Sequence, residues 1–149
     1  MNGENWLRRA ALGGDHEAAA LLGDLYARDG ALPPNHAEAA RWFRIAAEGG
    51  HKAAACALGA LHTGGHDIET DLAAARHWFA EAALHGHALA AIMLARCMIH
   101  GLGGPRGIEA GRQWYAHAAA RGVPEATEEL AALDLALTAD AGTEGFAAG

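Results

Sequence analysis

The stretch Ala39-Ala40-Arg41-Trp42-Phe43-Arg44-Ile45-Ala46-Ala47-Glu48-Gly49-Gly50 decides the fold, because the chain writes it more than once. It returns as Ala75-Arg76-His77-Trp78-Phe79-Ala80-Glu81-Ala82-Ala83-Leu84-His85-Gly86, and again as Gly111-Arg112-Gln113-Trp114-Tyr115-Ala116-His117-Ala118-Ala119-Ala120-Arg121-Gly122. A shortened copy, Trp6-Leu7-Arg8-Arg9-Ala10-Ala11-Leu12-Gly13-Gly14, stands near the start. The tryptophans fall at 6, 42, 78 and 114, so each interval is 36 residues, without a gap. A fixed period of this length marks a repeat array, in which each unit packs only on its neighbours.

Other columns keep the same step. Gly14, Gly50, Gly86 and Gly122 form one, and Leu22, Leu58, Leu94 and Leu130 another. Gly23, Gly59, Ala95 and Ala131 form a column of small residues that lets two helices approach closely. Within a unit, Ala18, Leu22, Leu25 and Tyr26 recur at helical spacing and predict a helix A over His16–Arg28. Ala39, Trp42, Phe43, Ala46 and Ala47 predict a helix B over His36–Glu48. Pro33-Pro34 breaks the chain between them, Asn35 is placed as an N-cap with Glu38 three residues on, and Gly50 follows helix B where a left-handed residue is wanted. Asp71 and Gly107 occupy the Asn35 column.

The chain therefore divides into a half repeat 1–14, full repeats 15–50, 51–86 and 87–122, and a half repeat 123–137, with eight helices in all. Residues 138–149 carry no periodic face and are expected to form a disordered acidic tail.

Composition narrows the class. Hydrophobic residues make up 52% of the 149, but alanine supplies much of that and aromatics only 6%, which suits thin helical layers better than a spherical core. The net charge of −7 is uneven: residues 1–122 hold 12 acids and 11 bases, whereas Glu125, Glu128, Glu129, Asp134, Asp140 and Glu144 follow with no Lys or Arg. No basic stripe is present to neutralise phosphates, so nucleic acid is not the expected partner. No apolar run approaches the roughly 20 residues of a membrane helix, and the first residues hold no secretory h-region, so a cytoplasmic protein without a membrane partner is expected. Cys56 and Cys97 occupy different columns, which argues against a repeated disulfide and suits a reducing compartment. Ten arginines against one lysine point to a bacterial source.

With the columns in hand, the pattern Ala18, Leu22, Gly23, Tyr26, Leu32, Asn35, Ala39, Trp42, Phe43, Ala46, Ala47, Gly50 resembles the Sel1-like repeat family. Unit 2 matches with Ala54, Leu58, Gly59, Gly65, Ile68, Asp71, Ala75, Trp78, Phe79, Ala82, Ala83 and Gly86. His62 and Met98 depart from the Tyr26 column, and Ala95 from the glycine column. The resemblance spans about residues 4–137 and implies a tetratricopeptide-like architecture: an all-α, right-handed α/α solenoid of antiparallel helix hairpins. It also implies a non-catalytic adaptor or scaffold for protein–protein interaction, in bacterial signalling or complex assembly, with no cofactor.

Catalytic and metal chemistry would need residues that this chain spaces differently or lacks. The chain holds no serine, which removes serine-nucleophile hydrolysis. Some cysteine-rich members of the family are linked to penicillin binding or β-lactam hydrolysis, but they carry paired cysteines in each repeat, absent here. The alternative is a small hydrolase or metal-dependent enzyme built on the ten histidines, among them His62 with His66 and His85 with His87. Their spacing matches no metal motif, and no metal site is expected. The glycines of 101–107 lack the Gly-Lys-Ser/Thr of a phosphate loop.

Binding chemistry should sit in the columns that vary, since residues kept in every unit serve packing. On helix A the varying columns supply Asp24, Cys56, Ala60, Thr63, Ile92, Arg96 and Ile99, which are expected to line a concave partner-binding face. Arg96 between Ile92 and Ile99 is its expected anchor, reaching a carboxylate or carbonyl of the partner while the isoleucines give apolar contact. Trp6, Leu7 and Ala10 of the opening helix have no preceding helix A, which predicts a weak homodimer through that helix.

Overall fold

The computed structural model describes residues 3–28, 34–64 and 68–148, the last seven by backbone only. Among them are eight helices and no strand: α1 (Gly3–Leu12), α2 (His16–Ala27), α3 (His36–Glu48), α4 (Lys52–His62), α5 (Leu72–Leu84), α6 (Ala88–His100), α7 (Ile108–Ala120) and α8 (Pro124–Ala148). Each helix packs on the one before and the one after it, so the chain is a solenoid of α-hairpins. Even-numbered helices are the A helices and odd-numbered ones the B helices. Leu32, Pro33, Gly65 and His66, used in the sequence reading, lie outside the described residues.

The predicted caps close the helices. Asp15, Asn35 and Asp71 each accept the backbone N–H three residues on, at 3.0–3.1 Å. His51 and His87 do the same through Nδ1. Gly107 supplies no side-chain cap. Each A–B loop is tied in the same register: Asn35, Asp71 and Gly107 donate their N–H to the carbonyls of Tyr26, His62 and Met98. The glycine column after each B helix holds φ between +85° and +104°, a left-handed turn that a Cβ would strain.

Hairpins close by seating a large side chain on a residue without Cβ. A Cβ on Gly23 would lie 2.4 Å from the Phe43 ring, and one on Gly59 2.8 Å from Phe79. In the third unit Ala95 fills the glycine position and the lock changes sides. Ile99 of α6 now projects from helix A, and the hole is Gly111 of α7, whose Cβ would meet Ile99 at 2.6 Å. Close packing is kept by exchanging which helix carries the knob.

Two clusters of buried side chains result, one around Leu22, Trp42, Phe43 and Leu58, the other around Phe79, Ile92, Leu94 and Tyr115; Trp78 packs against both. The tryptophan column is graded: Trp42 is 4% exposed, Trp78 and Trp114 are half-buried, and Trp6 is 70% exposed.

At the C-terminus the structure differs from the expected end near Leu137. Helix α8 continues to Ala148, because nothing between Leu137 and Gly142 breaks it, and the Thr138 hydroxyl bonds back to the Asp134 carbonyl within the helix.

Phe79→Ala should cost about 3–5 kcal/mol, the usual range for emptying an aromatic site in a core. Trp6→Ala should cost about 0.5 kcal/mol, as at a surface position. Chemical denaturation giving the two equal costs would contradict the lock.

The His87 cap adds a pH dependence. Burial, with Lys52 and Arg121 nearby, holds His87 below its ordinary pKa. As pH falls below about 6.5, the unfolded chain therefore takes up the proton first, and stability drops until the folded imidazole is also charged and the cap bond to Ala90 is gone. His87→Asp keeps a capping oxygen and should flatten the loss of stability between about pH 6.5 and 5. Thermal melts across that range test this, and identical slopes would refute it.

Candidate interaction surface

Structure redistributes the residues expected on the concave face. Ile92 is 1% exposed, Ile99 8% and Cys56 7%, so these three belong to the core. Ile92 and Cys56 share a column with buried Ala20, and Ile99 sits on Gly111 of its own hairpin. The expected arginine between two exposed isoleucines is therefore not present. Asp24, Ala60, Thr63 and part of Arg96 remain at the surface.

Arg96 is already engaged. Its guanidinium forks onto the Glu129 carboxylate of α8, with Nε donating to Oε2 at 3.0 Å and NH2 to Oε1. NH1 donates to the Met93 sulfur at 3.4 Å. The ion pair holds Glu129 below its ordinary pKa, while burial first, and then Glu129, push the Tyr115 hydroxyl up. Arginine, carboxylate and phenol thus form one polar cluster tying α6, α7 and α8 together. A second, at the other end of the array, joins Tyr26 to Glu4 and Arg8 of α1. The Tyr26 column later becomes Asp134, paired with Arg112 at 2.6 Å. Between them lies His62, whose two ring nitrogens are buried without a hydrogen-bond partner.

The A helices form the inner layer: α2 touches α4 directly, and Arg96–Glu129 bridges α6 to α8. Their open stripe is rotated from the expected one. It follows Glu17, Leu21, Asp24 and Arg28 on α2 and its end, then Ala53, Ala57, Ala60 and Gly64, then Leu89, Met93, Arg96 and His100. All twelve are exposed or half-buried. The middle row consists only of alanine and glycine, between rows carrying Leu21 on one side and Leu89 and Met93 on the other. Side-chain size alone makes this row a shallow trough with an apolar floor. Its signal was present in the sequence as a row of small residues at i, i+4, i+7 and i+11, but which helical face it occupied was not.

Cys56 and Cys97 are free and buried, and burial pushes the Cys56 thiol up to about 11, far from a reactive thiolate. No group of three or more His, Cys, Asp or Glu side chains among the described residues is placed to hold a metal ion. His51 and His87 are occupied as caps, and His51 also meets Glu17 at 2.8 Å. No described helix is long and apolar enough to cross a membrane.

The Sel1 repeat family model matches residues 3–15, 16–51, 52–87 and 88–123. A Sel1 repeat protein from Oxalobacter formigenes superposes with a TM-score of 0.76 at 32% identity, over 87% of this chain and 98% of that one. The antigen c5321 of uropathogenic Escherichia coli, which displays an SLR fold, gives 0.79 at 30% identity over 85% of this chain and 27% of that one. Helicobacter pylori cysteine rich protein B shares the fold at 16% identity, with a TM-score of 0.65. No curated protein matches the chain.

Because Arg96 holds α8, Arg96→Glu should loosen that helix by setting two carboxylates against each other. Hydrogen exchange of amides 125–137 should speed up, by an amount corresponding to about 1 kcal/mol for a partly exposed pair. Adding Glu129→Arg should restore protection. Unchanged exchange in the single variant would show the pair to be idle.

Proposed function

The chain belongs to the Sel1 repeat family, and from that premise we propose that it is a non-catalytic interaction module that holds a partner segment in the trough of its inner, helix-A face. Sel1 repeat proteins are generally protein-interaction scaffolds. The observation that carries the reading is the row Ala53, Ala57, Ala60 and Gly64, small residues exposed or half-exposed between flanking leucines. A surface that only met water would gain nothing from a dip with an apolar floor, whereas a bound helix or extended segment needs that space for its own side chains. Asp24 and Arg96 stand in the rows on either side of Ala60 and supply polar ends to the trough, with Thr63 at its rim. Arg96 serves here as a positioned guanidinium whose carboxylate Glu129 is already in place, so it offers a partner its edge rather than its whole fork.

The setting we infer is bacterial complex assembly or signalling in the cytoplasm. Two bacterial proteins at 30–32% identity and two unpaired, buried thiols support it.

Ala60→Arg fills the trough without touching the core, since Ala60 is exposed and arginine is a good helix former. Partners captured from a bacterial lysate by the wild type should bind this variant at least tenfold more weakly, about 1.4 kcal/mol, with an unchanged helical spectrum. Equal capture by both proteins, measured by quantitative mass spectrometry, would remove the trough as the site.

A further inference from the structure

A second surface lies on the rim where B helices turn into A helices. Between α5 and α7 is an open cleft of about 440 Å³, lined by Leu84, Gly86, Gln113, Trp114, His117 and Arg121 with alanine behind. Leu84 is 70% exposed, and Trp114 is half-buried, with His117 packed edge-on at 5.8 Å. The Arg121 guanidinium lies over the backbone of Gly86, about 3 Å from where a Cβ would stand. No carboxylate lines the cleft. One repeat back along the same rim, a cleft of about 360 Å³ is lined by His51, Lys52 and His85. Lys52 and Arg121 bring positive charge to this rim, while His51 faces the Glu17 carboxylate at 2.8 Å.

The repeat supplies its own control. The same columns one unit earlier read Ala47, Glu48, Gly50, His77, Trp78, Glu81 and His85. The frame of alanine, glycine and tryptophan is common to both and belongs to the fold. The variable positions differ in kind: Leu84 replaces Glu48, Gln113 replaces His77, His117 replaces Glu81, and Arg121 replaces His85. Two acids give way to an exposed leucine and a histidine, and a histidine to an arginine. Packing does not require this, because the acidic version builds the same hairpin.

We propose that the Leu84–Trp114–Arg121 cleft is a peptide site for an acidic segment, seating an aliphatic or aromatic side chain between Leu84 and Trp114 and a neighbouring carboxylate on Arg121. Aromatic and arginine side chains at one spot are the usual composition of a binding hot spot, and a carboxylate is the natural partner of a guanidinium fork. A phosphate backbone fits less well, since it would find cations without a stacking platform wider than one half-buried indole. The site is separate from the trough, and together they would let one chain bridge two partners. It rests on the interaction-module reading only for the class of ligand.

The test is a library of random heptapeptides displayed on phage and panned on the full chain. The best enriched sequence is then synthesised, labelled and titrated by fluorescence anisotropy. Enriched peptides should carry Asp or Glu within two positions of Leu, Ile or Phe. Arg121→Glu and Leu84→Glu, both at exposed positions, should each weaken the peptide at least tenfold, and its Asn/Gln counterpart should bind as weakly. Ala60→Arg should leave affinity unchanged. No enrichment, a motif without an acid, or a peptide that ignores Arg121→Glu overturns the proposal. A peptide lost in Ala60→Arg instead belongs to the trough, so the two readings fail separately.

Discussion

Each layer depends on one contact, a large side chain seated where the facing helix has no Cβ. The ring of Phe43 on Gly23, and of Phe79 on Gly59, brings helix axes closer than two ordinary side chains allow. That closeness is what lets an alanine-rich chain with few aromatics bury a continuous core at all. The third unit shows that the constraint is on the contact and not on the residue, since Ile99 and Gly111 make the same lock with the roles exchanged. Ala95 is thus a compensated change, which explains how the array tolerates the loss of the column glycine.

Once the locks set the spacing, hydrogen-bonding demands at the helix ends follow. Every A–B loop returns an N–H to the last turn of helix A, and the starts of α2 through α6 each find a side-chain acceptor. Using histidine for the α6 cap couples the fold to proton concentration, because the His87 imidazole, held below its ordinary pKa by burial, accepts from Ala90 through Nδ1. Arg8 with Glu4 and Tyr26 at one end, and Arg96 with Glu129 at the other, pin helices that have fewer neighbours to pack against.

Function is left to what the locks do not use. A helix A is covered by its own helix B and the preceding helix B, and α2 also meets α4, so only part of its surface stays open. Small side chains line the middle of the open stripe, and the variable columns around Trp114 form an open cleft beside Arg121. Both are compatible with any lock-forming sequence, which is why repeat arrays can change partners without changing fold.

Much of this was legible in the chain itself. A gapless 36-residue period, with glycine after each B helix and the caps Asn35 and Asp71 before two of them, dictated eight helices in antiparallel pairs, because backbone sterics and end-group hydrogen bonding act locally. The open face of the A helices was only half legible. Periodicity marks Leu22 and Tyr26 as buried but does not say how many neighbours cover the remaining arc, so Cys56, Ile92 and Ile99 read as surface until the hairpin partner was in place. The commitment of Arg96 to Glu129, 33 residues away, was likewise invisible, since the two meet only when α8 stacks on α6. Local chemistry determined the elements; the count of neighbours around each helix, a property of the stacked array alone, decided which side chains were left to meet a partner.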